Sequence, residues 1–255
     1  MHRPIWGAAT SAHQVEGGNE SNDWWAWEQA GRVRERSGLA CDHYHHFQED
    51  FKLAKFLGHT AHRFSLEWSR LEPREGEWNE EAFRHYEEVF NSLQILGLEP
   101  IVTLHHFTNP LWFVQKGGWL AKSASEKFAE FVRRVSARFG RHVRYWITFN
   151  EPLIYLYQGY VLGRWPPGEQ SLTKAFQVVR ELIQAHIESY RILHEGAKGG
   201  ECYVSVAHHA IAFSPCRPAS ILDRFALLQR DWFTNHLLVR SLLSGFLFFP
   251  GIFFE

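Results

Sequence analysis

The stretch that decides the fold is Tyr145-Trp146-Ile147-Thr148-Phe149-Asn150-Glu151-Pro152. Tyr145, Trp146, Ile147 and Phe149 are aromatic or β-branched, the types that fit a pleated, buried surface. Pro152 cannot donate to a ladder, so the strand stops there. An amide and a carboxylate are left at the C-terminal tip. In an α/β barrel the chemistry sits at that edge.

The rest of the chain repeats this pattern. Ile5 to Thr10 predicts a first strand, ending in a loop from Asn19 to Leu39. Tyr44, Phe47, Phe51, Ala54 and Leu57 recur at helical spacing, and Gly58 is a stop. Thr60 to Leu66 predicts the second strand. Asn79 caps a helix with an inner face of Phe83, Tyr86, Phe90, Leu93 and Leu96, closed by Gly97. Glu99 to Leu104 is the third strand. Ser123 or Ser125 caps a helix through Phe128, Phe131, Val132, Val135 and Phe139. After the quoted fourth strand come a helix from about Ser171 to Leu193, a fifth strand from Cys202 to Ala207, and a helix from Ile221 to Leu243.

Strand and helix alternate five times, which predicts parallel strands with crossover helices. An open doubly wound sheet and a closed eight-stranded barrel both fit. No Gly-x-Gly-x-x-Gly follows the first strand, which counts against a dinucleotide-binding open sheet. Polar groups end every strand, which favours an α/β (β/α)8 TIM barrel. Five units use about 250 residues, and eight at that pitch would need roughly 400. The chain, a single domain over 1–255, therefore reads as the first five βα units of such a barrel.

Composition narrows the partners. The net charge of -1 gives no bulk attraction for nucleic acid or a membrane surface. Cys41, Cys202 and Cys216 are too few and too scattered for a disulfide framework, and fit reduced thiols in a cytoplasmic protein. Met1-His2-Arg3-Pro4 shows no secretory leader. The apolar run from Gly245 to Phe254 is too short to span a bilayer and contains Pro250 and Gly251. The 11 Trp, 21 Phe and 8 Tyr are mostly core material. Some of the Trp suit the apolar face of a sugar ring.

At this point the residues resemble glycoside hydrolase family 1, the β-glucosidase-like retaining glycosidases. Trp6-Gly7-Ala8-Ala9-Thr10-Ser11-Ala12-His13-Gln14-Val15-Glu16-Gly17 looks like that family's N-terminal signature. His62-Arg63-Phe64-Ser65-Leu66-Glu67-Trp68-Ser69-Arg70 looks like its second strand, and Pro100 through Phe107 like its third. Thr148-Phe149-Asn150-Glu151-Pro152 looks like the fourth. Gly159-Tyr160, Gly163 and Pro166-Pro167-Gly168 look like the loop beyond it. The resemblance implies hydrolysis of β-glycosides with Glu151 as the general acid/base. It implies that Gln14, His106 and Asn150 hydrogen-bond the sugar, that Arg63 supports the nucleophile, and that Trp119 sits near the same pocket. It implies no cofactor.

A retaining glycosidase needs two carboxyl groups about 5 Å apart across the scissile bond. One protonates the leaving oxygen and then deprotonates water, while the other attacks the anomeric carbon. The family's nucleophile is a glutamate in Glu-Asn-Gly, and no Glu-Asn-Gly occurs here. The alternative reading is an inactive or split fragment: a carbohydrate-binding remnant, or one half that needs a C-terminal partner. Five strands of a barrel leave two open edges, so self-association is expected. Thr108-Asn109-Pro110 also departs from the family pattern, in which an acidic residue is common at the first position.

Each residue has a plainer reading. Glu151 alone would be a surface glutamate before a loop; Gln14 and Asn150 could serve loop backbone; Arg63 could be a core ion-pair arginine. Trp165 to Gly168 reads equally well as a rigid turn or as an aglycone contact. His43 and His46 could share a helix face, but metal sites usually add Cys or carboxylate ligands. No metal is expected. A Ser-His-Asp hydrolase is not expected either, since no Gly-x-Ser-x-Gly is present.

Overall fold

A computed structural model describes residues 4–244, and the backbone of 248–249 and 252–253. In the first unit, β1 (Gly7–Ala9) leads into the one-turn helix α1 (Ala12–Val15). Next come α2 (Asp23–Gln29) and α3 (His43–Phe56). The second unit is β2 (Ala61–Ser65), α4 (Trp68–Leu71) and α5 (Glu80–Leu96). The third is β3 (Glu99–His105), α6 (Leu111–Gln115) and α7 (Ala124–Phe139). The fourth is β4 (Tyr145–Asn150), α8 (Pro152–Leu156) and α9 (Leu172–Gly196). The fifth is β5 (Tyr203–Ala207), α10 (Ile221–Asp231) and α11 (Leu237–Ser244).

The five strands form one parallel sheet in sequence order. Every polar strand end therefore reaches the same rim. β1 lies so close to β2 that a Cβ on Gly7 would meet the Ala61 carbonyl oxygen at 2.1 Å, which is why that position takes glycine. Asn79 caps α5 by accepting from Glu81 and Ala82 N–H, and Gly97 closes the helix in the left-handed region at φ 61°. The core lies between sheet and helices. Phe128, Phe131, Val132, Val135 and Phe139 of α7 are fully buried, together with Val178 of α9 and Val102 of β3. Truncating one such phenylalanine to alanine costs about 3–5 kcal/mol.

Four expectations need adjusting. The loop from Asn19 to Leu39 contains α2, which Asn22 caps by accepting from Trp25 N–H at 2.8 Å. Ser123 holds the N-cap position of α7 without a capping side-chain bond; Ser125 instead hydrogen-bonds Glu181 of α9. The single helix expected from Ile221 to Leu243 is α10 and α11 joined by a π-turn over Trp232–His236. The run from Gly245 to Phe254 lies outside the described residues apart from the antiparallel backbone pair Phe248–Phe249 with Ile252–Phe253. Among the described residues no helix is long and apolar enough to cross a membrane.

Candidate active site

β4 does not run straight to its tip. Ile147 pairs with Ser205 and Asn150 with Ala207, so three steps on β4 oppose two on β5. Such a bulge re-aims the residues beyond it. Thr148 fills it, with Oγ1 hydrogen-bonded to the Ser205 carbonyl and to His186 Nδ1 at 2.7 Å. Glu151 follows in the left-handed region at φ 43°, unusual for a non-glycine residue. Its N–H donates to Ala207 O at 2.8 Å, and its carbonyl accepts from Ile154 and Tyr155 N–H. Pro152, with no N–H to lose, opens α8. The Glu151 side chain is thereby delivered to the rim, about a third exposed (34%), with Oε1 3.3 Å from His209 Nδ1.

Asn150 is buried, and its Oδ1 accepts from Arg63 Nη2 at 2.6 Å. Arg63 Nε donates to Thr103 Oγ1 at 2.9 Å. The guanidinium thus bridges β2, β3 and β4. Burial pushes its pKa down, and the nearby Glu151 carboxylate pulls it back up. His106, just beyond β3, is held neutral: burial first, then Arg63 and His105, bring its pKa down to about 3. Its Nδ1 is buried without a hydrogen-bond partner. Such an atom costs roughly 1–3 kcal/mol unless something bonds it.

Gln14, exposed on α1, and His106 line one cleft of about 380 Å³, walled by Trp24, Phe107 and Trp165. Trp165 stands edge-on to Trp24 at 5.4 Å and packs on Phe107 at 4.9 Å. Trp165, at the head of the turn to Gly168, is therefore cleft wall. Glu151, Arg63 and Asn150 form a second cluster beside it.

Trp119 corrects an expectation. Its side chain is fully buried and its Nε1 donates to Asn109 Oδ1 at 2.8 Å; it packs on His105 and Phe149 beneath the rim. It faces no part of the cleft.

The sequence reading missed Asn109. Its Oδ1 accepts from Trp119 and from His105 Nε2. Its Nδ2 donates to Asp23 Oδ2 at 2.8 Å and to Tyr155 Oη, and its N–H to Asp23 Oδ1. One buried amide therefore joins α2, the end of β3, the Trp119 turn and α8. Thr108 stands where the family often has an acid, and donates to Glu67 Oε2 at 3.0 Å. The signal was visible as the departure at Thr108-Asn109-Pro110, but its partner Asp23 lies 86 residues away.

A second buried group braces the first rim loop. Glu16 accepts from Arg70 Nε at 2.9 Å and Tyr86 Oη at 2.8 Å. Burial pushes the Glu16 pKa up, and Arg70 opposes that. The two histidines weighed as metal ligands bond different carboxylates, His43 to Asp50 and His46 to Glu49.

A carboxylate, an amide and an arginine thus converge at one rim of a parallel sheet. The sequence profile of glycosyl hydrolase family 1 matches residues 2–244. The chain belongs to that family. Its sequence is 32% identical over 206 residues to beta-glucosidase A of Thermotoga maritima, covering 77% of this chain and 46% of that protein. It is 35% identical over 253 residues to the human cytosolic beta-glucosidase, covering 93% and 53%. Among solved structures, a beta-glycosidase from Pyrococcus horikoshii superposes with a TM-score of 0.86 at 39% identity, over 93% of this chain and 54% of that one. The Thermotoga maritima beta-glucosidase in complex with glucoimidazole superposes at 0.90 and 29% identity, over 95% and 57%. The chain spans about half the length of the curated relatives it matches. The five-stranded sheet is part of the family's (β/α)8 barrel.

Proposed function

We propose that this chain carries the acid/base half of a retaining β-glycosidase site, with Glu151 as the general acid/base. The observation that carries the reading is the Arg63–Asn150–Glu151 cluster at the end of β4, where Arg63 fixes Asn150 and faces Glu151. Asn150, Gln14 and His106 bind hydroxyls of the sugar; the unpartnered His106 Nδ1 supports that role. Glu151 gives its proton to the leaving oxygen as the glycosidic bond breaks, and then takes one from water in the second step. The attacking carboxylate belongs to a Glu-Asn-Gly motif absent from this sequence. Arg63 would keep that group ionised. We place the protein in the cytosol, as the human relative's name suggests for that relative.

The test is release of a chromogenic aglycone from a β-glucoside, by the chain alone and by the chain mixed with a relative's segment bearing Glu-Asn-Gly. Turnover that needs Glu151 supports the reading, and Glu151→Gln should abolish it. Turnover unchanged in Glu151→Gln, or absent both with and without that segment, overturns it. Sugar binding without turnover would support the second reading, a carbohydrate-binding remnant.

A further inference from the structure

We propose that His209 is the positioning residue for the Glu151 carboxyl; this rests on the acid/base reading above. His209 Nδ1 lies 3.3 Å from Glu151 Oε1. This is the one side-chain hydrogen bond the carboxyl makes among the described residues. Arg63, the cation near Glu151, spends Nη2 on Asn150 and Nε on Thr103. The same strand end holds Glu151 twice: Ala207 O accepts its main-chain N–H, and two residues later His209 meets its side chain. The bulge in β4 creates this arrangement, because it swings Glu151 toward β5. The adjacent His208 is engaged differently, with Nε2 buried and unpartnered.

The chemistry gives the contact a purpose. A neutral imidazole protonated at Nδ1 donates to Oε1 and leaves Oε2 for the reaction. When Glu151 has given its proton to the leaving oxygen, the carboxylate that remains keeps this donor. A hydrogen bond to a charged acceptor is about twice as strong as a neutral one. Glu151 then accepts a proton from water, while His209 keeps its own proton throughout. His209 acts through Glu151 and not on the sugar.

Two measurements test this. In the intact chain, long-range ¹H–¹⁵N NMR of the histidine rings, assigned with His209→Asn, should show His209 protonated at Nδ1. Glu151→Ala should shift it to the Nε2–H form. A His209 ring indifferent to Glu151→Ala overturns the proposal whether or not the chain turns over substrate. In the mixed assay, His209→Phe should lower kcat about tenfold with KM unchanged. His209→Asn, which keeps a donor, should restore most of it, with melting temperatures alike. Equal kcat in all three overturns the positioning role. Absence of turnover with an intact NMR response counts against the acid/base reading alone.

Discussion

Arg63 and Asn150 stand 87 residues apart in sequence and meet through a 2.6 Å hydrogen bond across the inner face of the sheet. Thr103, on the strand between them, takes the other arm of the guanidinium. A planar fork can serve both partners at once, and an ammonium group cannot hold the same geometry. Arg63→Lys should therefore cost about 1.5–3 kcal/mol in urea unfolding, the range for hydrogen bonds to a charged group. A loss under about 0.5 kcal/mol, the usual range for a neutral surface change, would show that the bridge does not organise the rim.

Asn109 and Asp23 give a pH-dependent test of the hub. Burial pushes the Asp23 carboxyl up from 3.8 to about 7, against the donors from Asn109 that favour its charged form. The folded state therefore binds more protons than the unfolded state between these values. Stability from Asp23 is full below about pH 4 and falls as pH rises to about 7, by about 4 kcal/mol at most. The stability difference between the wild type and Asp23→Asn should narrow or reverse across that window. Parallel stability curves from pH 4 to 8 would refute a raised Asp23.

The buried histidines act in the opposite direction. Burial lowers His62, His85, His105 and His186 to about 4 and His106 to about 3. Their stabilising effect is complete above the unfolded value of about 6.5 and is lost as pH falls toward the folded values. Denaturant midpoints should therefore drop steeply between about pH 6.5 and 4. His105→Gln should flatten part of that drop. Midpoints unchanged over this range would mean that these rings accept protons without unfolding cost.

Trp119 separates support from recognition. Trp119→Phe removes the donor to Asn109 Oδ1 and leaves a void among His105, Phe149 and Phe128. The expected cost is about 2–3 kcal/mol of stability. Affinity for a non-cleavable β-thioglucoside, measured by calorimetry, should stay within about twofold, whereas His106→Ala should weaken it about tenfold or more by deleting a bond to a buried group. A Trp119→Phe protein of normal stability with lost sugar affinity would reinstate Trp119 in the pocket.

What the sequence shows here is set by range. Asn79 and Gly97 bracket α5 in plain view because capping depends on neighbours in the chain. The strand tips at His105 and Asn150 were legible from period and punctuation. The Asn22 cap lay hidden because α2 is only two turns long and its Trp residues carry no clean helical stripe. The β4 bulge and the Asn109–Asp23 and Glu151–His209 pairs depend on which strands become neighbours, and no local pattern encodes that. Trp119 shows the reverse error. The family resemblance set it near the sugar pocket, whereas the packing of its ring on Phe128 and Phe149 puts it underneath the rim.

The sheet edges supply the last prediction. Among the described residues β1 and β5 each have a strand on one side only. All three residues of β1 are exposed, as are Trp6 before it and Tyr203 at the start of β5. On α10, Ile221, Leu222, Phe225 and Leu228 are exposed as well. Unpaired strand edges beside apolar side chains invite pairing with another chain. This 255-residue chain should therefore sediment as dimers or larger species at micromolar concentration. Substituting lysine at Ala8 and Ser205, on the two edge strands, should shift it toward monomer, because charge on an edge opposes pairing. Sedimentation as a single monomer with a sharp cooperative melt would show that both edges are satisfied within the chain.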